Sequence, residues 1–170
     1  AGIDVGSTTV KLVVLDENGQ MIFGQYQRHL SHTQRALSDL LKQARAALGE
    51  CALELRATGS GAINLAKALG IPFVQEVVAV AQALERVAPQ VDVAIELGGE
   101  DAKIIYFKGG LEERMNSVCA GGTGSFIDQM AALLQTDASG LDREAAHYQQ
   151  IYPIAARCGV FAKTDIQPLI

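Results

Sequence analysis

Short apolar runs broken by glycine-bearing turns fill the first thirty residues. Residues 2–5 predict a short strand and 10–16, "VKLVVLD", a second; the tight turn "ENG" leads into a third over 20–28. The period then changes. Leu37, Leu40, Leu41, Ala44 and Leu48 recur at helical spacing, which predicts a helix capped by Ser31, with Gln34 completing a capping box and Gly49 ending it. A strand near 53–58, a short helix over 61–69, a strand near 72–76 and a helix near 78–88, stopped by Pro89, follow. Residues 91–97, "VDVAIEL", alternate cleanly; "GGED" turns the chain into a strand over 102–107, and 110–116 predict one more. Phe126, Ile127, Met130, Leu133 and Leu134 share one face of a helix at 125–135, and a second helix covers 139–149. Residues 157–162, "RCGVFA", read as a short buried strand or extended piece, after which Thr164 and Gln167 mark the start of a helix. The alternation is that of an α/β chain. Opening inside a strand and closing in the first turns of a helix, the chain reads as a fragment of a longer one.

Two stretches repeat one plan. "GIDVGSTTVKLVVLD" and "AIELGGEDAKIIYF" each hold a strand, an acid at its end (Asp4, Glu96), a glycine turn, a lysine (Lys11, Lys103) and a second strand. A hairpin turn of this kind presents backbone N–H groups and small hydroxyls to an anion, and the acid at the strand end can hold Mg²⁺ through water. Two such hairpins facing each other would grip a nucleotide's phosphates. Neither GxxxxGK[ST] nor GxGxxG occurs, so this is not a P-loop or dinucleotide plan. The plainer reading is that each turn merely needs glycine; the paired acid and lysine weigh against it.

Composition narrows the class. The 170 residues are 49% hydrophobic, enough for a sizeable core, with net charge −5. No basic stripe points to nucleic acid, and no apolar run reaches the length of a membrane span. Three cysteines, an odd and widely spaced set, do not make a disulfide framework, and a reducing, cytoplasmic setting is the expectation. Cys51, in "LGECALEL", reads as a buried apolar residue. Cys119 stands directly before a glycine-rich turn, "AGGTGS", whose N–H groups at a helix start favour the thiolate that iron binds. Cys158 lies between Arg157 and Gly159. His29, His32 and His147 lack metal-ligand spacing and read as surface or capping residues.

"GIDVGSTTVKLVV", "ELGGEDAKII", "MNSVCAGGTGSFID" and "RCGVFAKTDI" together resemble the activators of 2-hydroxyacyl-CoA dehydratases and the ATPase subunits of benzoyl-CoA reductase, within the actin, sugar-kinase and heat-shock-chaperone ATPase superfamily. The wording "CAGGTGSFIDQMA" is most similar to the activase-like module of large fused proteins. The resemblance implies ribonuclease H-like lobes, a first over 1–90 and the start of a second, incomplete one over 91–170. It implies ATP with Mg²⁺, and one [4Fe–4S] cluster shared between the two subunits of a homodimer. It implies ATP turnover that drives a low-potential electron into an acyl-CoA dehydratase or reductase component, with reduced ferredoxin or flavodoxin as donor. Carried over by position, Asp4, Gly6, Ser7, Thr8, Thr9 and Lys11 serve the first phosphate loop, and Glu96, Gly98, Gly99, Glu100, Asp101 and Lys103 the second. Asp4, Glu96 and Glu100 are the catalytic set, Asp4 and Glu96 holding magnesium through water. Gly121, Gly122 and Thr123 join the cofactor-binding residues, and Cys119 and Cys158 are the cluster ligands. Small activators commonly carry Asp where this chain has Glu96 and Gln where it has Glu100. The family's adenosine-binding glycine motif is not in this stretch, so residues 1–170 alone are expected to hydrolyse ATP poorly. Two other classes remain open. One is a sugar or carboxylate kinase of the same superfamily, which needs a general base such as Asp128, Asp137 or Asp142. The other is a non-catalytic nucleotide-binding module.

Overall fold

The computed structural model describes residues 1–116, 121–156 and 158–170. The chain forms two compact units, Ala1–Val91 and Asp92–Ile170.

In the first unit, β1 (Gly2–Val5), β2 (Thr9–Leu15) and β3 (Met21–Arg28) form an antiparallel meander, and β4 (Arg56–Thr58) joins β1 in parallel, giving the order β3-β2-β1-β4. The crossover from β3 to β4 is α1 (Thr33–Leu48). Its apolar stripe explains the packing: Ala36, Leu37, Leu40 and Ala44 are buried against Ile3, Val5, Val10 and Leu12 of the strands. Ala62 and Ala66 of α2 (Ala62–Leu69) complete that core, and α3 (Glu76–Val87) follows. Small alanines let the helices approach the sheet closely. A meander joined by a parallel strand after a helical crossover is the ribonuclease H-like topology.

The second unit opens with the antiparallel meander β5 (Val93–Leu97), β6 (Ala102–Tyr106) and β7 (Glu112–Met115). Helices α4 (Gly124–Leu133), α5 (Ala138–Ala145) and α6 (Gly159–Ile166) follow, with a 3₁₀ turn over Gln167–Leu169. Ile105, Met130, Ala131 and Ala162 are its buried apolar residues among those described. Asp137 caps α5 by accepting the Gly140 N–H at 2.7 Å. No described helix is long and apolar enough to cross a membrane.

Several sequence expectations change. Ser31 does not cap α1: Leu30 and Ser31 lie in the left-handed region (φ 45° and 66°), and the N-cap is His32, one residue later. The strand expected near 72–76 is a single parallel bridge, Ala57–Phe73, beside β4. Within the run 157–162, the described residues 158–162 are not a strand; α6 begins at Gly159 with Cys158 at its N-cap. A run that short cannot be told from a buried helix segment by periodicity alone. Thr164 accordingly lies inside α6, its hydroxyl donating to the Val160 carbonyl at 2.9 Å. Cys51 is exposed rather than buried, in an irregular stretch between α1 and β4.

Candidate phosphate-binding hairpins

The first hairpin pairs Asp4 with Lys11 and Val5 with Val10. Gly6 N–H donates to the Thr9 carbonyl at 2.9 Å, leaving Ser7 and Thr8 at the tip. Because Asp4 and Lys11 are cross-strand partners, their side chains meet: Lys11 Nζ is 2.5 Å from Asp4 Oδ2 and also lies over the Tyr26 ring, 5.9 Å from its centroid. The other carboxylate oxygen, Asp4 Oδ1, is buried with no hydrogen-bond partner, as is the hydroxyl of Thr58, its register neighbour on β4. Buried polar atoms without partners are rare and call for a reason. Two of them side by side at the ends of parallel strands, next to the turn, suit a hydrated cation or its water. Gly59 closes this corner. Its φ is +96°, and a Cβ there would overlap both Asp4 Oδ1 and the Val5 carbonyl. Gly59 and Thr58 were not singled out from the sequence, although the glycine in "ATGSG" was available as a signal.

His29, expected to be a surface or capping residue, is half-buried and holds the turn: its N–H donates to the Thr8 carbonyl (3.1 Å), and its Nε2 faces the Gly6 carbonyl (3.2 Å). It also stands, with Ser7, on the wall of a cleft of about 580 Å³ beside the turn. His32 and His147 are exposed, as expected.

The second hairpin repeats the register, Glu96 opposite Lys103 and Leu97 opposite Ala102. Here the lysine is buried. Lys103 Nζ lies 3.1 Å from Glu96 Oε2 and 3.2 Å from Asp101 Oδ2, with its side chain 7% exposed against 42% for Lys11. Asp101 folds back over the turn, so that a Cβ on Gly98 would overlap its Oδ1. Glu100 is exposed at the tip.

The start of α4 docks on this turn. Gly124 N–H donates to the Gly98 carbonyl (2.8 Å) and Ser125 N–H to the Gly99 carbonyl (3.0 Å). The approach leaves little room at Gly124, where a Cβ would come 3.1 Å from Gly98 O. Thr123, at the N-cap, is fully buried. The expectation that the amides at this helix start serve the Cys119 thiolate therefore needs correcting for Gly124 and Ser125, whose N–H groups are used by the second turn. The start of α6 packs on the same segment. A Cβ on Gly159 would lie 3.2 Å from Gly121 Cα and 3.3 Å from Phe126 Cδ2. Cys158, half-buried, is thus one residue from a contact with Gly121, itself two positions from Cys119 in sequence. Cys119 and Arg157 lie outside the described residues. Among the described residues no group of three metal-ligating side chains converges.

Two hairpins of this kind, each a strand, acid, glycine turn and lysine on a mixed α/β frame, define the fold of the actin, sugar-kinase and heat-shock-chaperone ATPase superfamily. Residues 1–168 match the BadF/BadG/BcrA/BcrD ATPase family, and the chain belongs to it. It is 31% identical over 170 residues to the (R)-2-hydroxyglutaryl-CoA dehydratase activating ATPase of Acidaminococcus fermentans, covering 97% of this chain and 65% of that protein. It is 32% identical to the activator of lactoyl-CoA dehydratase of Anaerotignum propionicum, with the same coverage. The solved structure of the activator of 2-hydroxyisocaproyl-CoA dehydratase from Clostridium difficile with bound ADPNP superposes with a TM-score of 0.85 at 28% identity, over 97% of this chain and 63% of that one. The ethanolamine utilization protein EutJ from Carboxydothermus hydrogenoformans (TM-score 0.57, 16% identity, 84% of this chain and 59% of that one) shares the fold alone. The chain spans about 65% of the length of the curated relatives it matches.

Proposed function

We propose that the full-length protein is an ATP-dependent activator that couples ATP hydrolysis to low-potential electron transfer, through a [4Fe–4S] cluster shared between two subunits, to an acyl-CoA dehydratase or reductase. In this reading residues 1–90 belong to a first ribonuclease H-like lobe and 91–170 open a second. The protein works in the cytoplasm, with reduced ferredoxin or flavodoxin as donor.

The observation that carries the reading is a chain of contacts inside the second unit. Cys158 adjoins Gly159, Gly159 packs on Gly121, and the helix that follows Gly121 is hydrogen-bonded to the carbonyls of Gly98 and Gly99. The segment bearing one cluster ligand is thereby tied to the turn that receives phosphate. A change in how that turn is held must strain α4 and reach the start of α6.

The residues divide the work. Backbone N–H groups around Ser7–Thr9 and Gly99–Asp101 receive phosphate oxygens, which needs no charged side chain at the tip. Lys11 and Lys103 fix the acids by ion pairing. Asp4 Oδ1 and the Thr58 hydroxyl, both lacking partners, fit the water shell of Mg²⁺, which when bound offsets phosphate charge and orients the attacking water. Glu96, one methylene longer than aspartate, and the exposed Glu100 complete the catalytic set. Cys158 fits one iron ligand at the positive end of α6; Cys119 is assigned as its companion by position, and the cluster supplies one-electron chemistry. Two cysteines per chain reach the four ligands a cubane needs only in a two-fold dimer.

An anaerobic iron and acid-labile sulfide count on the full-length protein tests this. About four irons per dimer, with ADPNP binding, is expected. Nucleotide binding without any iron would refute the electron-transfer reading.

A further inference from the structure

The ring of His29 is a hydrogen-bond bracket with a defined tautomer. Its Nε2 stands 3.2 Å from the Gly6 carbonyl, and its Nδ1 receives the Ser31 N–H at 3.1 Å. A carbonyl oxygen only accepts and an amide N–H only donates. Nε2 therefore carries the proton and Nδ1 is bare. The residue's own N–H holds the Thr8 carbonyl at 3.1 Å, and its carbonyl accepts the His32 N–H at 2.7 Å. Around it, Leu30 and Ser31 occupy the left-handed region at φ 45° and 66°. Non-glycine residues persist there only where their surroundings over-determine the backbone, and such sites cluster where geometry matters for function.

The contacts fix more than position. In a trans peptide, the C=O and the N–H of the next residue point in opposite directions, and the described chain has no cis peptide. Engaging the carbonyls of Gly6 and Thr8 therefore aims the N–H groups of Ser7 and Thr9 away from His29. The second hairpin does the same by other means. Gly98 occupies the position of Gly6 in the repeated plan, and its carbonyl is held by the Gly124 N–H at the start of α4. Two hairpins of one design thus anchor the same carbonyl, one with a helix amide and the other with an imidazole.

We infer that neutral His29 is a positioning residue that pre-sets the first phosphate-binding turn, aiming the Ser7 and Thr9 amides at the nucleotide. This rests on the reading of that hairpin as a phosphate site. The full-length protein with ¹⁵N-labelled histidine tests it through a long-range ¹H–¹⁵N correlation spectrum at mildly alkaline pH. His29, assigned by the signal lost in His29→Gln, should appear as the neutral Nε2–H tautomer with and without ADPNP. In parallel, His29→Ala should weaken ADPNP binding about tenfold. His29→Gln, whose amide places a donor near the position of Nε2, should recover most of the loss. The Nδ1–H tautomer, or affinity in His29→Ala within about twofold of the unmodified protein, would overturn the assignment. Should His29→Ala not fold, the tautomer and the glutamine variant decide. Unmodified protein that fails to bind ADPNP overturns the hairpin reading as well, whereas binding left intact by His29→Ala overturns this inference alone.

Discussion

Replacing Lys103 with methionine should open the second hairpin, while the same change at Lys11 should barely disturb the first. Both lysines face the acid across their hairpin, yet their settings differ. Among the described residues, Lys11 is 42% exposed and contacts one carboxylate, whereas Lys103 is 7% exposed and contacts those of both Glu96 and Asp101. An exposed pair is worth about 0–1 kcal/mol, so Lys11→Met should cost no more than that. Removing the Lys103 ammonium leaves two carboxylates that both touched one nitrogen, hence within about 6 Å of each other. Like charges at that distance repel by roughly 3 kcal/mol at an effective dielectric near 20. Both side chains are about one-third exposed, so solvent reduces this to about 1–2 kcal/mol. Loss of the charge-assisted hydrogen bonds adds about 1–2 kcal/mol. The expected cost is roughly 2–4 kcal/mol.

Hydrogen exchange of the full-length protein, read by mass spectrometry on peptides covering 93–97 and 102–106, reports this opening locally. Protection should fall about 30- to 1000-fold in Lys103→Met, at about 1.4 kcal/mol per factor of ten. Peptides covering 2–5 and 9–15 should change less than about fivefold in Lys11→Met. Adding Glu96→Gln and Asp101→Asn to Lys103→Met should restore most of the protection, because the repulsion is then gone. Equal losses in the two single variants, or no recovery in the triple variant, would refute the charge-balance account.

Three further outcomes are expected. Asp4→Ala should lower Mg²⁺-dependent ATP hydrolysis about 100-fold or more while leaving ADPNP affinity within about threefold, since the acid orients metal and water and backbone amides hold phosphate; steady-state kinetics beside calorimetry check it, and unchanged hydrolysis counts against the role. Gly59→Ala should destabilise by roughly 2–4 kcal/mol, combining a left-handed φ with overlap on the Val5 carbonyl, which already accepts the Gly61 N–H at 2.8 Å; an unshifted thermal midpoint would contradict it. Cys119→Ser and Cys158→Ser should each abolish bound iron and sulfide without loss of ADPNP binding, and Cys51→Ser should do neither; retention of four irons per dimer in either of the first two would dismiss the shared-cluster assignment.

The hairpins were legible because their signal is local. Alternating apolar residues, a glycine turn and an acid–lysine pair lie within fourteen or so positions, and the structure pairs Asp4 with Lys11 and Glu96 with Lys103 across those turns. Helix α1 was legible for the same reason, through its apolar stripe. Features that depend on distant residues were not. The run around Cys158 is apolar without a period, so its helix emerges only where Gly159 meets Gly121. Cys51 reads as apolar by type, yet it is exposed in an irregular stretch. Strand 72–76 shrank to one bridge at the sheet edge because its partner β4 is itself only three residues long.

The repeat between the hairpins shows most clearly where sequence stops. It fixes which residues stand at the acid, the turn and the lysine, and it suggests two equivalent sites. It is silent on what holds each turn from behind, because that group is supplied by a different element each time. His29 comes from the end of β3, twenty-three residues after Gly6, and the Gly124 amide from the start of α4, twenty-six residues after Gly98. One is a side chain that can be substituted; the other is main chain, moved only by moving a helix. The two turns therefore should respond to different perturbations. A change at one histidine acts on the first turn, whereas any shift of the segment between Gly121 and α6 acts on the second. In the reading proposed above, that segment ends at one iron ligand, Cys158, and begins two residues after the other, Cys119, so it is the second turn, rather than the first, through which nucleotide and cluster should sense each other.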